Sequence, residues 1–275
     1  MMPKVTIIIP FRDRVDMLEK CVIGVVGTVP DRLKVEILLV DNGSGPTVKT
    51  FFEKIQALEN IRVLKYPGQF NFSAINNFAA GRANGEFLLF LNNDTYPISE
   101  DWLTCMVDMA EKERVGAVGA CLLYPDGTIQ HAGVMLGKNV ATHAFIGFHT
   151  DDELFVGHGE KRRRWSAVTA ACMMTPRKLF LEAGGFDETE FPIAYNDVDY
   201  CLRLGRRGME TWVAPEAKLY HYESASRGSD VYSCVTDFRR YLQFRRERAN
   251  MLKKWRVELK NDPYFDLRFL RRRDV

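Results

Sequence analysis

The first half of the chain alternates short apolar runs with helix-like stretches, and this alternation is the strongest constraint on its fold. The apolar runs are rich in β-branched and aromatic residues, as strands are, and occupy residues 4–9, 35–40, 61–66 and 86–91. The helix-like stretches between them are Val15–Gly27, Pro46–Leu58 and Ser73–Ala83. Strands that alternate with helices of this length predict βαβ units and a mainly parallel sheet with helices on both faces.

Polar segments follow three of the predicted strands. They are Phe11–Asp13, Asp41–Ser44 and Asn92–Asp94. In open α/β sheets, ligands bind beyond the carboxyl ends of the strands, so we expect these three turns to share one edge. The alternative for each segment is a plain turn, because Asn and Asp are favoured at strand exits.

The second half is less regular. A strand pair is expected around Pro125–Gly127, a long loop over residues 137–164, and a helix in "NDVDYCLRLGRRG". We therefore divide the chain into a domain over residues 1–230, with halves at about 1–115 and 116–230, and an extension over 231–275.

Composition excludes several classes of protein. The 275 residues are 46% hydrophobic and 27% charged, which suits one large α/β domain or two small ones. No apolar run approaches the ~18 residues of a membrane-spanning helix, and the five-residue run before Pro10 is too short for a signal peptide. The six cysteines form no CxxC pair and indicate buried thiols in a reducing cytosol.

The extension is strongly basic. Between Arg239 and Arg273 there are 13 Lys or Arg and four Asp or Glu, whereas the remainder of the chain is mildly acidic. Its apolar residues fall roughly on one stripe, which predicts an amphipathic helix: Val235, Phe238, Tyr241, Leu242, Met251 and Trp255. Such a helix suits an anionic partner such as a membrane surface or nucleic acid; the alternatives are a solvated face or a stripe packed on the domain.

Candidate polar side chains end several elements. Asp41 could accept a hydrogen bond from the ring N–H of a base, although Asp-Asn-Gly is also a common turn. Asn196 and Asp197 lie before or in the first turn of a helix, where capping is the alternative. An ion pair between Asp199 and Arg203, four residues apart, would leave Asp197 as the carboxylate without a structural contact.

Five motifs in order resemble the inverting glycosyltransferases of family 2, which have the GT-A fold. They are "TIIIPFRDR", "LLVDNGS", "NFSAINNFAAGRANGEFLLFLNND", "GGFDE…YNDVDYCLRL" and "HYESASRG", and the later "DPYF" is also typical. The resemblance covers nearly the whole chain. It looks closest to the soluble bacterial enzymes that build O-antigen, capsule or rhamnan-like chains.

The resemblance implies a role for each matching position. Asp94 and His221 would bind Mg²⁺ or Mn²⁺ at the donor diphosphate, and Asp197 would be the catalytic base. Asn196 and Trp165 would lie on the acceptor side. The remaining nucleotide-sugar contacts implied are Pro10, Phe11, Arg12, Asp41, Asn71, Ser73, Asn92 and Asn93.

The implied reaction moves a sugar from a nucleoside-diphosphate sugar, with UDP- or dTDP-sugars favoured, to a hydroxyl of a glycan or polyprenyl-linked acceptor. The cysteines favour a cytoplasmic protein, and the basic, aromatic extension over residues 231–275 predicts peripheral contact with the inner face of a membrane that carries a lipid-linked acceptor. A homodimer is a further option, and no nucleic-acid partner is expected.

Three other functions are alternatives to this transferase. Asn92 and Asn93 replace residues that are often acidic, so a sugar-nucleotide-binding accessory protein without turnover is the main alternative. A sugar-1-phosphate nucleotidyltransferase needs a glycine-rich loop after the first strand, and "IIIPFRDR" has no glycine. A processive membrane synthase is disfavoured, because there is no spanning segment and no Gln-x-x-Arg-Trp motif. The abrupt "RRRDV" ending leaves open a longer chain.

Overall fold

A central sheet organises the protein. The computed structural model describes residues 4–55, 58, 60–137, 140–222 and 238–265. In chain order its strands are β1 (Val5–Phe11), β2 (Val35–Asp41), β3 (Ile61–Lys65), β4 (Phe87–Leu91), β5 (Thr95–Pro97), β6 (Val115–Leu123), β7 (Ile129–His131), β8 (Val134–Gly137), β9 (Val140–His143), β10 (Arg163–Arg164), β11 (Cys172–Pro176) and β12 (Glu210–His221).

The strand order along the sheet is β10-β12-β6-β11-β4-β1-β2-β3, and β8 and β9 form a separate hairpin. The block from β3 to β4 is parallel throughout, as the alternation of strands and helices predicted. β11 then enters antiparallel to both β4 and β6, whereas β12 runs parallel to β6. Short β5 pairs with β12, and β7 pairs with β6 around the predicted turn. The sheet is therefore mixed in its second half.

The helices cover both faces of this sheet. They are α1 (Val15–Thr28), α2 (Lys49–Ile55), α3 (Phe72–Ala80), α4 (Trp102–Ala110), α5 (Arg177–Glu182), α6 (Asn196–Arg206) and α7 (Phe238–Lys254), with 3₁₀ turns at Pro46–Val48 and Glu258–Lys260. The expected loop 137–164 also contains β9, β10 and a π-helical turn at Phe155–Gly159. None of the helices in the described ranges is long and apolar enough to span a membrane.

Two apolar layers enclose the central strands because successive side chains point to opposite faces. Ile7 and Ile9 of β1 pack in a cluster with Trp102, whereas Ile8 packs in the other cluster with Phe90. All seven residues of β1 are buried. This double coverage explains why the strand sequence is continuously apolar rather than alternating.

Helix α7 and the segment after it pack on the domain. Met251 and Trp255 are fully buried, and Trp255 Nε1 donates to Asp199 Oδ1 at 2.9 Å. Phe238 and Leu242 of the predicted stripe are exposed, so only part of that stripe meets the domain. Residues 231–237 and 266–275 of the predicted extension lie outside the described residues, and its contact with a membrane stays a prediction.

The "DPYF" motif, which follows α7, packs against the β8–β9 hairpin and forms a hydrogen bond with it. Asp262 Oδ2 accepts from the Leu136 N–H at 2.7 Å, and its Oδ1 accepts from the N–H groups of Tyr264 and Phe265. Phe265 stacks on Trp165 with ring centroids 5.4 Å apart. This packing accounts for the burial of Trp165, which is 1% exposed.

Gly85 tests the close contact between the turn before β4 and β1. A Cβ at Gly85 would lie 2.4 Å from the Thr6 backbone nitrogen, whereas one at Gly27 of α1 would meet nothing within 4 Å. We expect Gly85→Ala to lower the free energy of unfolding by about 1–3 kcal/mol through overpacking. Gly27→Ala should leave it unchanged or raise it by up to ~1 kcal/mol. Urea denaturation measures both, and equal effects would contradict the contact.

Candidate active site

The turns after β1, β2 and β4 meet at one edge of the sheet, as predicted, because the three strands are parallel neighbours. The Asp13 N–H donates to Ser44 Oγ at 2.8 Å, and Asp13 Oδ1 accepts from the Gly45 N–H at 2.8 Å. Asp13 and Arg14 both have positive φ, 54° and 46°, so the backbone turns sharply after β1. The residues of this turn line a cavity together with the residues that follow β4.

A cavity of about 560 Å³ occupies this edge, a volume typical of small-molecule sites. The edge of the sheet and the start of α3 supply one wall, consisting of Pro10–Arg14, Asn42, Phe70, Phe72, Ile75 and Asn92–Asp94. Residues of α7 and the segment before α6 supply the other, consisting of Ile193, Ala194, Arg240, Tyr241, Gln243, Phe244 and Glu247. The contribution of α7 was missed by the sequence analysis, because a basic amphipathic pattern does not identify the surface a helix packs on.

Asp94 and His221 come together although they are 127 residues apart in the sequence. β5 pairs antiparallel with β12, with Thr95 opposite His221, and the Tyr222 N–H donates to the Asp94 carbonyl at 2.9 Å. The resulting distance between Asp94 Oδ1 and His221 Nε2 is 3.2 Å. Both residues are buried, at 5% and 8% exposure.

This pair fits a divalent metal ion. Adjacent ligand atoms on a six-coordinate ion with bonds of about 2.0–2.1 Å lie about 3 Å apart, close to the observed spacing. The described residues contain no cluster of three or more His, Cys, Asp or Glu that could hold a metal ion by themselves. A two-residue site leaves room for phosphate oxygens and water, which is how Mg²⁺ is usually bound at phosphate sites.

Asn92 and Asn93 flank this pair. Asn92 Nδ2 lies 3.2 Å from His221 Nε2, within hydrogen-bond distance, and Asn93 is 9% exposed. The Asn92 carbonyl accepts from Thr95 Oγ1 at 2.8 Å, which closes the turn between β4 and β5. The segment is thus a turn whose side chains also face the cavity.

Asp41 lies beneath the cavity rather than on its surface. It is 7% exposed, and its Oδ1 accepts from the Ser44 N–H at 2.8 Å. Its neighbour Asn42 lines the cavity and donates through Nδ2 to the Gly68 carbonyl at 2.7 Å. Contact between Asp41 and a base stays a prediction.

Asp197 sits in the first turn of α6, half-buried, and makes two backbone contacts. Its Oδ2 accepts from the Ala170 N–H at 3.0 Å and its Oδ1 from the Val198 N–H at 2.8 Å. The expectation that this carboxylate has no structural contact is therefore wrong. Neither Asn196 nor Asp197 caps the helix, because the N-cap is Tyr195, with φ of 60°. The predicted Asp199–Arg203 ion pair is present at 2.8 Å.

Four expected contact residues have structural roles instead. Ser73 is fully buried and donates to the Phe191 carbonyl at 2.6 Å, so it does not reach the cavity. Asn71 caps α3, where its Oδ1 accepts from the Ala74 N–H at 2.9 Å. Asn196 is 3% exposed and donates to the Ile193 carbonyl, and Trp165 is buried against Phe265. An acceptor cannot touch Trp165 or Asn196 in this conformation.

Glu247 joins α7 to the segment that precedes α6. Its Oε2 accepts from the N–H groups of Ile193 and Ala194, at 3.2 and 2.5 Å, and its Oε1 accepts from Gln243 Nε2. Phe244 stacks on Tyr195 with centroids 5.7 Å apart. Together these contacts hold α7 against the residues that lead into Asp197.

Comparison with known proteins identifies the family. The model described as Glycosyl transferase family 2 matches residues 6–166, more than half of the chain. The chain belongs to this family. Over 268 residues it is 38% identical to the O-antigen biosynthesis protein RfbC of Myxococcus xanthus, covering 96% of this chain and 20% of that protein. The chain thus spans a fifth of the length of RfbC.

Two further likenesses bear on the family and the fold. Over 222 residues, the chain is 25% identical to an N-acetylglucosaminyl-diphospho-decaprenol L-rhamnosyltransferase of Mycobacterium tuberculosis, covering 72% of this chain and 70% of that protein. The crystal structure of GalNAc-T7 with UDP, GalNAc and Mn²⁺ superposes with a TM-score of 0.67 at 14% identity, covering 86% of this chain and 48% of that one. The shared architecture is the GT-A fold, as the motifs implied.

Glu247 gives a pH-dependent prediction. Burial raises its pKa above the ordinary value, against the hydrogen bonds from Gln243, Ala194 and Ile193. Between the unfolded and folded pKa values the folded state holds the extra proton, so this group's contribution to stability falls as pH rises through that window. We expect the Tm of Glu247→Gln relative to wild type to be highest near pH 8 and to fall as the pH approaches about 4.3.

The matched control is Glu113→Gln, because Glu113 is exposed. Its Tm relative to wild type should vary little over the same pH range. A Glu247→Gln difference that does not change with pH would contradict the burial of an ionisable carboxyl at this position.

Proposed function

We propose that this chain is a metal-dependent inverting glycosyltransferase. It transfers a sugar from a nucleoside-diphosphate sugar to a hydroxyl of a glycan or lipid-linked acceptor in bacterial surface polysaccharide synthesis. The observation that carries the proposal is the contact of His221, at 3.2 Å, with Asp94, which lines a cavity large enough for such a donor. Membership of glycosyl transferase family 2 supports it.

The donor would lie in the cavity with its diphosphate toward Asp94. Arg12, Arg14 and Arg240 line this space and provide positive charge for an anionic ligand. The turn after β1 lines the end where the base would bind, and Asp41 lies beneath it. UDP- and dTDP-sugars are favoured because uracil and thymine both present a ring N–H from which Asp41 could accept, and because UDP is named for GalNAc-T7. Guanine also offers hydrogen-bond donors.

Asp94 and His221 would hold Mg²⁺ or Mn²⁺. When bound, the ion supplies a Lewis acid that stabilises negative charge on the departing nucleoside diphosphate. An imidazole ligand shifts the preference of the site toward Mn²⁺, the ion named for GalNAc-T7.

Asp197 would act as the general base. The N–H groups of Ala170 and Val198 hold both of its oxygens, which fixes the carboxylate while leaving it half-exposed to an acceptor. The proton of the acceptor hydroxyl passes to Asp197 as the oxygen attacks the sugar carbon from the face opposite the diphosphate. The bond from that carbon to the diphosphate oxygen breaks, and the nucleoside diphosphate leaves with its electron pair. One displacement with one base inverts the configuration of that carbon.

The acceptor belongs on the side of the cavity near α6 and α7. The rhamnosyltransferase of Mycobacterium tuberculosis is named for an acceptor that carries a sugar on a diphospho-decaprenol, which supports a lipid-linked glycan. Exposed Phe238 and Leu242, together with the basic residues of α7, support peripheral contact with the membrane that would hold such a lipid.

Asp197→Asn tests the base. The amide oxygen can still accept from the Ala170 N–H, and only the contact with the Val198 N–H is lost. We therefore expect folding and UDP affinity to be retained while kcat falls by about 10²–10⁴-fold. Single-turnover release of the nucleoside diphosphate and UDP titration calorimetry measure the two effects. Asp108→Asn, exposed on α4, is the control and should keep full turnover. Unchanged kcat in Asp197→Asn would exclude this residue as the base.

Metal dependence is tested by thermal stabilisation with a panel of nucleotides and Mn²⁺. A nucleotide present at 100 times its Kd should stabilise the wild type by about 2.7 kcal/mol. EDTA should remove the share of this stabilisation that requires Mn²⁺. Asp94→Asn and His221→Ala should each lack this Mn²⁺-dependent stabilisation. Binding of nucleotide without turnover of any donor would favour the accessory-protein alternative, which the replacement of acidic residues by Asn92 and Asn93 suggests.

A further inference from the structure

We propose that Gln130 positions the metal ligand by fixing the tautomer of His221. Gln130 is 2% exposed, and its Oε1 lies 2.6 Å from His221 Nδ1. The inference rests on the proposed metal site, but it concerns the ring nitrogen that faces away from the metal. Gln130 acts through His221 and touches neither donor nor acceptor.

The hydrogen bond determines which ring nitrogen carries the proton. A carboxamide oxygen only accepts hydrogen bonds, so the Nδ1 that faces it must be the N–H nitrogen. Nε2 of the neutral ring then has a lone pair, which matches its 3.2 Å distance from the Asn92 Nδ2 donor. That lone pair lies on the side of Asp94, with 3.2 Å between Nε2 and Oδ1. His221 is thus oriented as a metal ligand before any ion binds.

Gln130 is itself held rigidly. It is the middle residue of β7, which pairs with β6, the strand that also pairs with β12. Its carbonyl lies 3.1 Å from His143 Nδ1, and the neighbouring His131 is fully buried, with its Nε2 accepting from the Thr169 N–H at 3.4 Å. Water has little access to this layer, so it cannot replace the Gln130 oxygen if that oxygen is removed.

No local sequence pattern marks Gln130 as functional, because "TIQHAG" has the pattern of an ordinary alternating strand. A ligand histidine commonly donates its other N–H to a carboxylate or carbonyl, and loss of that acceptor typically weakens metal binding 10–100-fold. Here the acceptor is a side-chain amide 91 residues away in the sequence.

The test compares Gln130→Met, which removes the acceptor at similar size, with Gln130→Glu, which keeps it. Mn²⁺ binding in the presence of UDP is followed by the electron paramagnetic resonance signal of free Mn²⁺. We expect about 10–100-fold weaker binding for Gln130→Met and wild-type or tighter binding for Gln130→Glu. Thr175→Val is the matched control, because it removes buried hydrogen bonds to Gly116 and Tyr200 and none at the site. It should bind Mn²⁺ as the wild type does.

A second measurement needs no metal. ¹⁵N NMR of histidine-labelled protein, with the His221 signals assigned from His221→Ala, should show a proton on Nδ1 in wild type and in Gln130→Glu. Gln130→Met should show a smaller fraction of His221 with a proton on Nδ1. A wild-type His221 without a proton on Nδ1, or unchanged Mn²⁺ affinity in folded Gln130→Met, would overturn the inference. His221→Ala separates failure of this inference from failure of the proposed metal site. If His221 is not a metal ligand, His221→Ala will bind Mn²⁺ with the affinity of the wild type.

Discussion

β5 and β12 pair antiparallel over three residues each, and the arrangement of the site depends on this short pairing. It places Thr95 opposite His221, so the turn after β4 and the end of the last strand meet at Asp94. β12 also pairs with β6, which in turn pairs with β7 and brings Gln130 behind His221. The Asp94–His221 pair is therefore built from strand register, which would suit a metal site whose ligands are held in place before the ion arrives.

Asp199 binds the end of α7 to the rest of the domain through an ion pair and a hydrogen bond. This fully buried carboxylate contacts Arg203 at 2.8 Å, Lys254 at 2.8 Å and Trp255 at 2.9 Å. Removing one partner of a buried charge is usually strongly destabilising, so these contacts fix α7 at one place on the surface. Nearer the start of the helix, Glu247 and Phe244 then reach the cavity wall. A basic helix that suggests a membrane contact by its composition is at the same time part of the candidate active site.

The asparagines after β4 acquire a physical explanation from the structure. Asn92 Nδ2 lies 3.2 Å from His221 Nε2, and a second carboxylate at this position would lie beside that of Asp94 in a buried setting. Like charges at such short range disfavour ionisation of one another. One carboxylate and one imidazole would make a metal site of low charge, with room for ligands from a donor diphosphate.

Local patterns in the sequence determined the parallel half of the sheet, the shared edge of the three polar turns, and the Asp199–Arg203 pair, because strand and helix periodicities act over a few residues. Long-range pairing decided the rest. Ser73 and Trp165 are polar or amphipathic residues that a sequence pattern leaves free to face a ligand, yet one bonds Phe191 and the other stacks on Phe265, more than 90 residues away. The contact of His221 with Asp94 and Gln130 likewise exists only because three separate strands are in register. A side chain's partners depend on which strands become neighbours, and that is settled by the packing of the whole sheet.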